Sequence, residues 1–468
     1  MPCELLLTHA WILAEDPREQ EIMRPFPPLG LQYLVAWLRR EGFPSTEWFD
    51  STFAHGPDAI LAAVNDANPH VVGLYGHTIT RPTSLALAQT LVRDGRRVIA
   101  GGPDPVQYAE EYLDGGVEVI VVGEGELTTQ AVMEHLRANG WAWDRSCLAA
   151  IDGLIFRDDD GRTVRTAPRA LIRPLERLPW PHRERADLDG YFAAWRTRHA
   201  ETALSVSTSR GCPYSCAWCS KQVYGDTFRR REVDDVIAEV EHLRDTYNPD
   251  QIWFVDDVFT INKAWVYRFT AAMVARRVNL PFYLVARPET LDKPLLQALR
   301  DAGCYRIYMS AESGAQHVLD AMDKGSTVEQ IDRAASLMRE VGIELGTFVM
   351  FGYPTEEKAD VEATIQMLHR LDPEVALLSV AHPMKGTPFY EQVKHDLVDP
   401  PGWGKENGGR LAFKMRFPHA FYEVTQRRIW AERGLKKKLA SGTFDRELLG
   451  MAARWPLYRV AFEWYGRA

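Results

Sequence analysis

What this chain of 468 residues lacks removes several classes of function. There is no surplus of positive charge: 55 Lys and Arg against 64 Asp and Glu leave a formal net charge of −9. The basic footprint that neutralises a phosphate backbone is therefore missing, and no nucleic-acid partner is expected. No uncharged apolar run is long enough to span a bilayer, and the opening Met1-Pro-Cys-Glu-Leu-Leu-Leu is only strand length with no basic flank. The expectation is a cytoplasmic protein without a membrane partner. Cysteine is scarce, six in all, too few and too unevenly placed for a disulfide scaffold. The residual composition, 46% hydrophobic and 25% charged, is that of a globular protein, and the length calls for two domains plus additions.

Three of the six cysteines fall in one stretch, Ser209-Arg-Gly-Cys212-Pro-Tyr-Ser-Cys216-Ala-Trp218-Cys219, directly after the strand-like run 203–208. A structural zinc site needs a fourth ligand, commonly in a second paired motif, and no C-x2-C or H-x3-H partner exists elsewhere. Thiolates are soft, charge-donating ligands for iron, and three of them leave one iron of a four-iron, four-sulfur cluster open. Cys212, Cys216 and Cys219 are the expected metal ligands; Cys3, Cys147 and Cys304 are expected as buried thiols. In cysteine spacing and in the aromatic Trp218 the stretch resembles the radical S-adenosylmethionine (radical SAM) superfamily. That resemblance implies a [4Fe-4S] cluster whose open iron chelates SAM, reductive cleavage of SAM to a 5′-deoxyadenosyl radical, and an electron donor such as flavodoxin or ferredoxin.

Upstream, apolar strands at 5–8, 47–50, 71–75, 98–100 and 119–122 alternate with amphipathic stretches at 29–40, 57–68, 84–93 and 126–137. Such alternation predicts a doubly wound parallel sheet over residues 1–140, with ligands at the carboxyl ends of its strands. Those ends carry Gly76-His77-Thr78, Gly101-Gly102-Pro103-Asp104 and Gly123-Glu124-Gly125-Glu126. With Pro27-Pro28-Leu29-Gly30-Leu31 they resemble the cobalamin-binding domain that precedes many radical SAM modules, which implies a corrin contact at Gly102, Gly125 and His77. The D-x-H-x-x-G ligand motif is absent: after the first strand the chain reads Thr8-His9-Ala10-Trp11-Ile12-Leu13. His9 and His77 stand as metal-ligand candidates against the plainer reading of hydrogen-bonded strand-end histidines.

Residues 141–195 read as a linker in which 153–156 and 162–165 form a hairpin around Asp158-Asp-Asp-Gly161, with an extended Pro-rich connector at 178–182. Strands near 203–208, 251–255, 282–286, 305–310, 345–350 and 375–381 then predict a partial (β/α)6 barrel over residues 196–395, its site at the carboxyl ends. Those ends present Asp256-Asp257, which could hydrogen-bond SAM or substrate or else cap the next helix. The resemblance implies that Arg287 pairs with the SAM carboxylate, that Ser310, Glu312 and Gly314 lie at its ribose and ammonium, and that Gly352 packs on adenine with Glu356 capping a helix. Tyr224 is a candidate hydrogen-atom or proton donor, with loop packing as the alternative. Arg229-Arg230-Arg231 and Lys436-Lys437-Lys438 read as solvated faces, the former pairing with the following helix. Residues 396–468, including Trp403, read as a small helical C-terminal cap.

The function expected is a radical SAM enzyme that removes hydrogen from a carbon of a small-molecule, secondary-metabolite substrate. Cobalamin-dependent C-methylation leads; cobalamin-independent radical dehydration of a diol, such as an aminoglycoside sugar, is the alternative.

Overall fold

The computed structural model describes residues 3–221, 223–398 and 411–467. Trp403 lies outside them. The described residues of Met1–Pro213 and Ser220–Val255 make one compact unit; those of Tyr214–Cys219, Asp256–Asp399 and Leu411–Ala468 make a second.

The first unit is built on β1 (Leu5–His9), β2 (Thr46–Phe49), β3 (Val71–Tyr75), β4 (Arg97–Gly101), β5 (Val119–Val121), β6 (Leu154–Arg157) and β7 (Thr163–Arg165). They lie in the order β2-β1-β3-β4-β5-β6-β7. The first five run parallel, as strand–helix alternation requires; β6 and β7 join antiparallel. The hairpin expected in a linker is thus an edge of the sheet. Side chains alternate across each strand. Leu5, Leu7, Ile99 and Val121 face the helices Leu29–Arg40 and Gly125–Ala138, while Leu6, Val72, Val98 and Ile120 face Pro57–Ala67 and Arg81–Arg93. The unit also holds a parallel pair, β8 (Ala203–Val206) and β11 (Gln251–Phe254), and a short antiparallel pair, β9 (Ser209–Arg210) and β10 (Arg229–Arg230).

In the second unit β12 (Phe282–Ala286), β13 (Cys304–Glu312), β14 (Glu344–Phe351) and β15 (Val375–Val380) pair parallel in chain order, with helices between them. β13 runs past its expected end because a bulge between Ser310 and Glu312 lets it continue, with Glu312 in the left-handed region at φ 64°. The helices His419–Ala440 and Arg446–Tyr465 form a hairpin, with Phe421 stacked on Phe462 at 4.8 Å. The fold is α/β as expected: a doubly wound sheet, parallel half-barrel strands and C-terminal helices.

Three expectations are corrected by burial. Cys147 is exposed, its thiol 3.1 Å from Asp144 at a helix start, whereas Cys3 and Cys304 are buried as expected. Arg229 and Arg231 are buried rather than solvated: Glu124 lies 2.9 Å from Arg229, while Arg231 pairs with the following helix as expected, with Glu239 at 2.5 Å and Asp235 at 2.7 Å. Glu357, not Glu356, caps the helix Lys358–Leu371.

Candidate active site

In the first unit a cavity of about 300 Å³ opens on the sheet face that carries Leu7, Gly73, Ile99 and Val121, beneath the helices Leu29–Arg40 and Gly125–Ala138. Glycine keeps it open. A Cβ on Gly30 would meet nothing within 4 Å, and on Gly101 or Gly125 it would make only ordinary contacts, none closer than 3.7 Å, so a methyl at any of the three would take up room beside the cavity without a clash. Gly102 is required for a different reason: its φ is 100°, and a Cβ would come within 2.5 Å of the Gly76 carbonyl and 2.8 Å of the Tyr75 ring. The lining is apolar toward the sheet and polar at Tyr75, Glu124, Glu126, Thr129 and Tyr224. An apolar slot with a polar rim at the strand ends suits an elongated ligand with a flat head, and the residues present fit cobalamin in that respect.

The two histidines do different things. His9 is buried and both ring nitrogens are engaged, Nε2 with Asp50 at 2.9 Å and Nδ1 with the Trp11 amide at 3.2 Å and Ser51 at 3.1 Å, which is the structural reading. His77 is exposed; its Nδ1 accepts from the Ile79 amide at 3.4 Å, capping a short turn, and it is not among the residues lining the cavity. Tyr224 is a wall of this cavity, with the Arg210 guanidinium 5.2 Å from its ring centre.

Arg210, which precedes Gly211-Cys212 in the chain, was not singled out from sequence. Its buried guanidinium donates to Glu124 Oε1 at 2.8 Å and Glu126 Oε1 at 2.5 Å. Burial works against its charge, yet Glu126 and its neighbours hold its pKa well above the ordinary value.

The second unit gathers a polar cluster beside Cys216 and Trp218. Arg287, expected to face the SAM carboxylate, is almost wholly buried, with its Nη1 donating to Cys216 Sγ at 3.3 Å. Its other donors meet Glu289, the Lys324 carbonyl and Ser326 Oγ, and its plane lies 3.8 Å from the Tyr214 ring centre. Burial disfavours its charge, but Glu289 and Cys216 prevail and its pKa is raised. Lys324 is the cation the sequence reading missed. Buried, it donates to Ser310 Oγ at 2.8 Å, lies 3.6 Å from Glu312 and sits 5.5 Å over the Trp218 ring. The available signal was the turn Asp323-Lys324-Gly325-Ser326, where Gly325 takes φ 70°. Burial raises the pKa of Glu312, with Lys324 and Arg287 opposing.

Gly352 (φ 81°) donates its amide to Glu356 Oε2 at 2.6 Å. Burial pushes the Glu356 carboxyl up to about 8. Gly314 is needed for close packing, since its Cβ would come 2.5 Å from the Ala363 carbonyl in the helix Lys358–Leu371. Asp256 is buried and Asp257 exposed; the helix beginning at Lys263 is capped by Asn262, so neither aspartate has that role.

Cys212 and Cys216 are buried and Cys219 is exposed. Among the described residues no three His, Cys, Asp or Glu side chains could hold a single metal ion. A cubane asks for something else, since each thiolate binds a different iron and the three need not converge on one point. Among the described residues no helix is long and apolar enough to cross a membrane.

Residues 206–368 match the radical SAM superfamily, and residues 21–133 match the B12 binding domain. An uncharacterized methyltransferase of Pyrococcus horikoshii is 28% identical over 84% of this chain and 85% of its own. The anaerobic magnesium-protoporphyrin IX monomethyl ester cyclase of Cereibacter sphaeroides is 26% identical over 83% and 63%. Cytidylyl-2-hydroxyethylphosphonate methyltransferase of Streptomyces wedmorensis is 25% identical over 83% and 81%. In fold, the cobalamin-dependent S-adenosylmethionine radical enzyme OxsB with aqua-cobalamin bound superposes at a TM-score of 0.76, with 17% identity over 98% of this chain and 72% of OxsB.

Proposed function

We propose that this chain, a member of the radical SAM superfamily with an N-terminal B12-binding domain, methylates a carbon of a small-molecule substrate. The observation that carries the proposal is the glycine-lined cavity in the same chain as the C-x3-C-x2-C loop: one module suited to cobalamin, the other to a cluster and SAM. The methyltransferases among its relatives support that outcome. When bound, the cluster and SAM supply a hydrogen-abstracting radical, and cobalamin supplies the methyl group.

Cys212, Cys216 and Cys219 would hold the cluster. In this reading Lys324 supplies the positive charge for the SAM carboxylate, a role that Arg287, with its donors already engaged, passes on. Glu312 and Ser310 accept from or donate to the ammonium and ribose, Trp218 packs beside them, and the Gly352 loop offers backbone to adenine. Asp256 and Asp257 are proposed for substrate. Gly102 and Gly125 let the corrin approach, and His77 is proposed at its rim. A flavodoxin or ferredoxin would deliver the electron.

The test supplies hydroxocobalamin during anaerobic purification and SAM labelled with deuterium in its methyl group. Corrin bands beside broad iron–sulfur absorption, and label in the product, are expected. Turnover with no label in the product would point to radical dehydration.

A further inference from the structure

The cavity of the first unit and the start of the cysteine loop share a wall. Glu124 and Glu126 line the cavity, and so does Arg210, two residues before Cys212. Arg210 Nη1 and Nη2 reach Glu124 and Glu126 at 2.8 and 2.5 Å, and Arg229 Nη1 reaches the other oxygen of Glu124 at 2.9 Å. The two arginines face each other across the β9–β10 pair, Arg229 opposite Arg210, so this pair brackets the chain from Gly211 to Phe228. The bracket is tight: a Cβ on Gly211, at φ 87°, would lie 1.9 Å from the Thr227 carbonyl. Tyr224, also in the bracketed segment, lines the cavity and lies against Arg210.

All four charged side chains are at most 6% exposed. Such an arrangement is a poor device for stability alone, because burying charges cancels most of what pairing returns. This one is not even complete, since Nε and Nη2 of Arg229 are buried without a hydrogen-bond partner. Its distinguishing property is connectivity: one guanidinium is at once cavity wall and the stem of a cluster ligand.

We propose that Arg210, clamped by Glu124 and Glu126, is a positioning residue that couples cobalamin binding to cluster binding. Cobalamin in the cavity fixes the wall and with it the stem of Cys212; the cluster fixes the stem and with it the wall. Each then binds a protein whose ordering has already been done, and linkage makes the effect equal in both directions. The inference rests on cobalamin binding as read above, not on which reaction follows.

The experiment uses the full chain with its cluster reconstituted or stripped, and hydroxocobalamin as the probe. Cluster-loaded protein should bind hydroxocobalamin at least ~5-fold more tightly than stripped protein, and bound hydroxocobalamin should slow loss of iron to a chelator. In Arg210→Lys and Glu126→Gln, each ligand should still bind but the ratio of affinities should fall toward one. Equal affinity with and without the cluster in the unaltered protein overturns the coupling, as does an undiminished ratio in both variants. If a variant fails to fold, the ratio in the unaltered protein still decides. No binding of hydroxocobalamin in either state would overturn the functional reading too, which separates the two failures.

Discussion

At the scale of single residues, the chemistry is concentrated in side chains whose neighbours are unusual. The three clustered thiols have no nearby rival in sequence. Replacing Cys212, Cys216 and Cys219 together by Ala should leave a folded protein that retains no cluster and does not cleave SAM reductively. Iron content and release of 5′-deoxyadenosine measure this. Lys324 is the second residue with a sharp consequence, since its buried ammonium lies 3.6 Å from Glu312 and donates to Ser310 at 2.8 Å. Lys324→Met should weaken SAM binding by ~1–3 kcal/mol through loss of a charge-assisted contact, and calorimetry should show it even where substrate is absent. The cysteines were legible because their spacing is itself the chemistry. Lys324 was not, because its turn follows a helix rather than a strand end, and only tertiary folding brings it to Ser310. Arg287 could be singled out from sequence, but its contacts could not, because they depend on Glu289, Lys324 and Ser326.

At the scale of elements, two loops make predictions. The Gly352 loop is held by Glu356, wholly buried and with one oxygen unpartnered. Its folded carboxyl titrates near 8, above the ordinary value of 4.5. The folded state therefore holds the proton more tightly than the unfolded chain does. The stabilisation this gives is complete below pH 4.5 and lost as pH rises through about 8. Glu356→Gln imitates the protonated form, so at pH 9 it should be the more stable protein by roughly 1–3 kcal/mol, and the two should melt alike only below pH 4.5, where the carboxyl is protonated in both states. A wild-type melting temperature unmoved across that range would refute the assignment. In the Gly102 loop, Gly102→Ala has to place a methyl against the Gly76 carbonyl at a φ that suits only glycine. A loss on the order of 1–3 kcal/mol in stability is expected, together with weaker hydroxocobalamin binding, both readable by titration and thermal melts. Strand and helix positions in both modules were readable because period-two and helical patterns alternate without interruption. The hairpin Leu154–Arg165 was recognised but not its place, since nothing local says that β6 will pair with β5.

At the scale of the whole molecule, fold and cofactor class were legible because the two modules announce themselves by ordered strand-end motifs. The burial of Arg229 and Arg231 was not, because a run of three arginines looks solvated even when paired with its own helix, until tertiary folding brings Glu124 to Arg229 and encloses the Arg231–Glu239 pair. The central claim is that methyl transfer, rather than dehydration, consumes the radical. A methyltransferase of this kind spends one SAM as methyl donor and a second as radical source. The ratio of S-adenosylhomocysteine to 5′-deoxyadenosine per product, measured with and without added cobalamin, tests that most directly. Comparable amounts of the two, and turnover that requires cobalamin, are predicted; 5′-deoxyadenosine alone, formed at the same rate in cobalamin-free protein, would contradict the account.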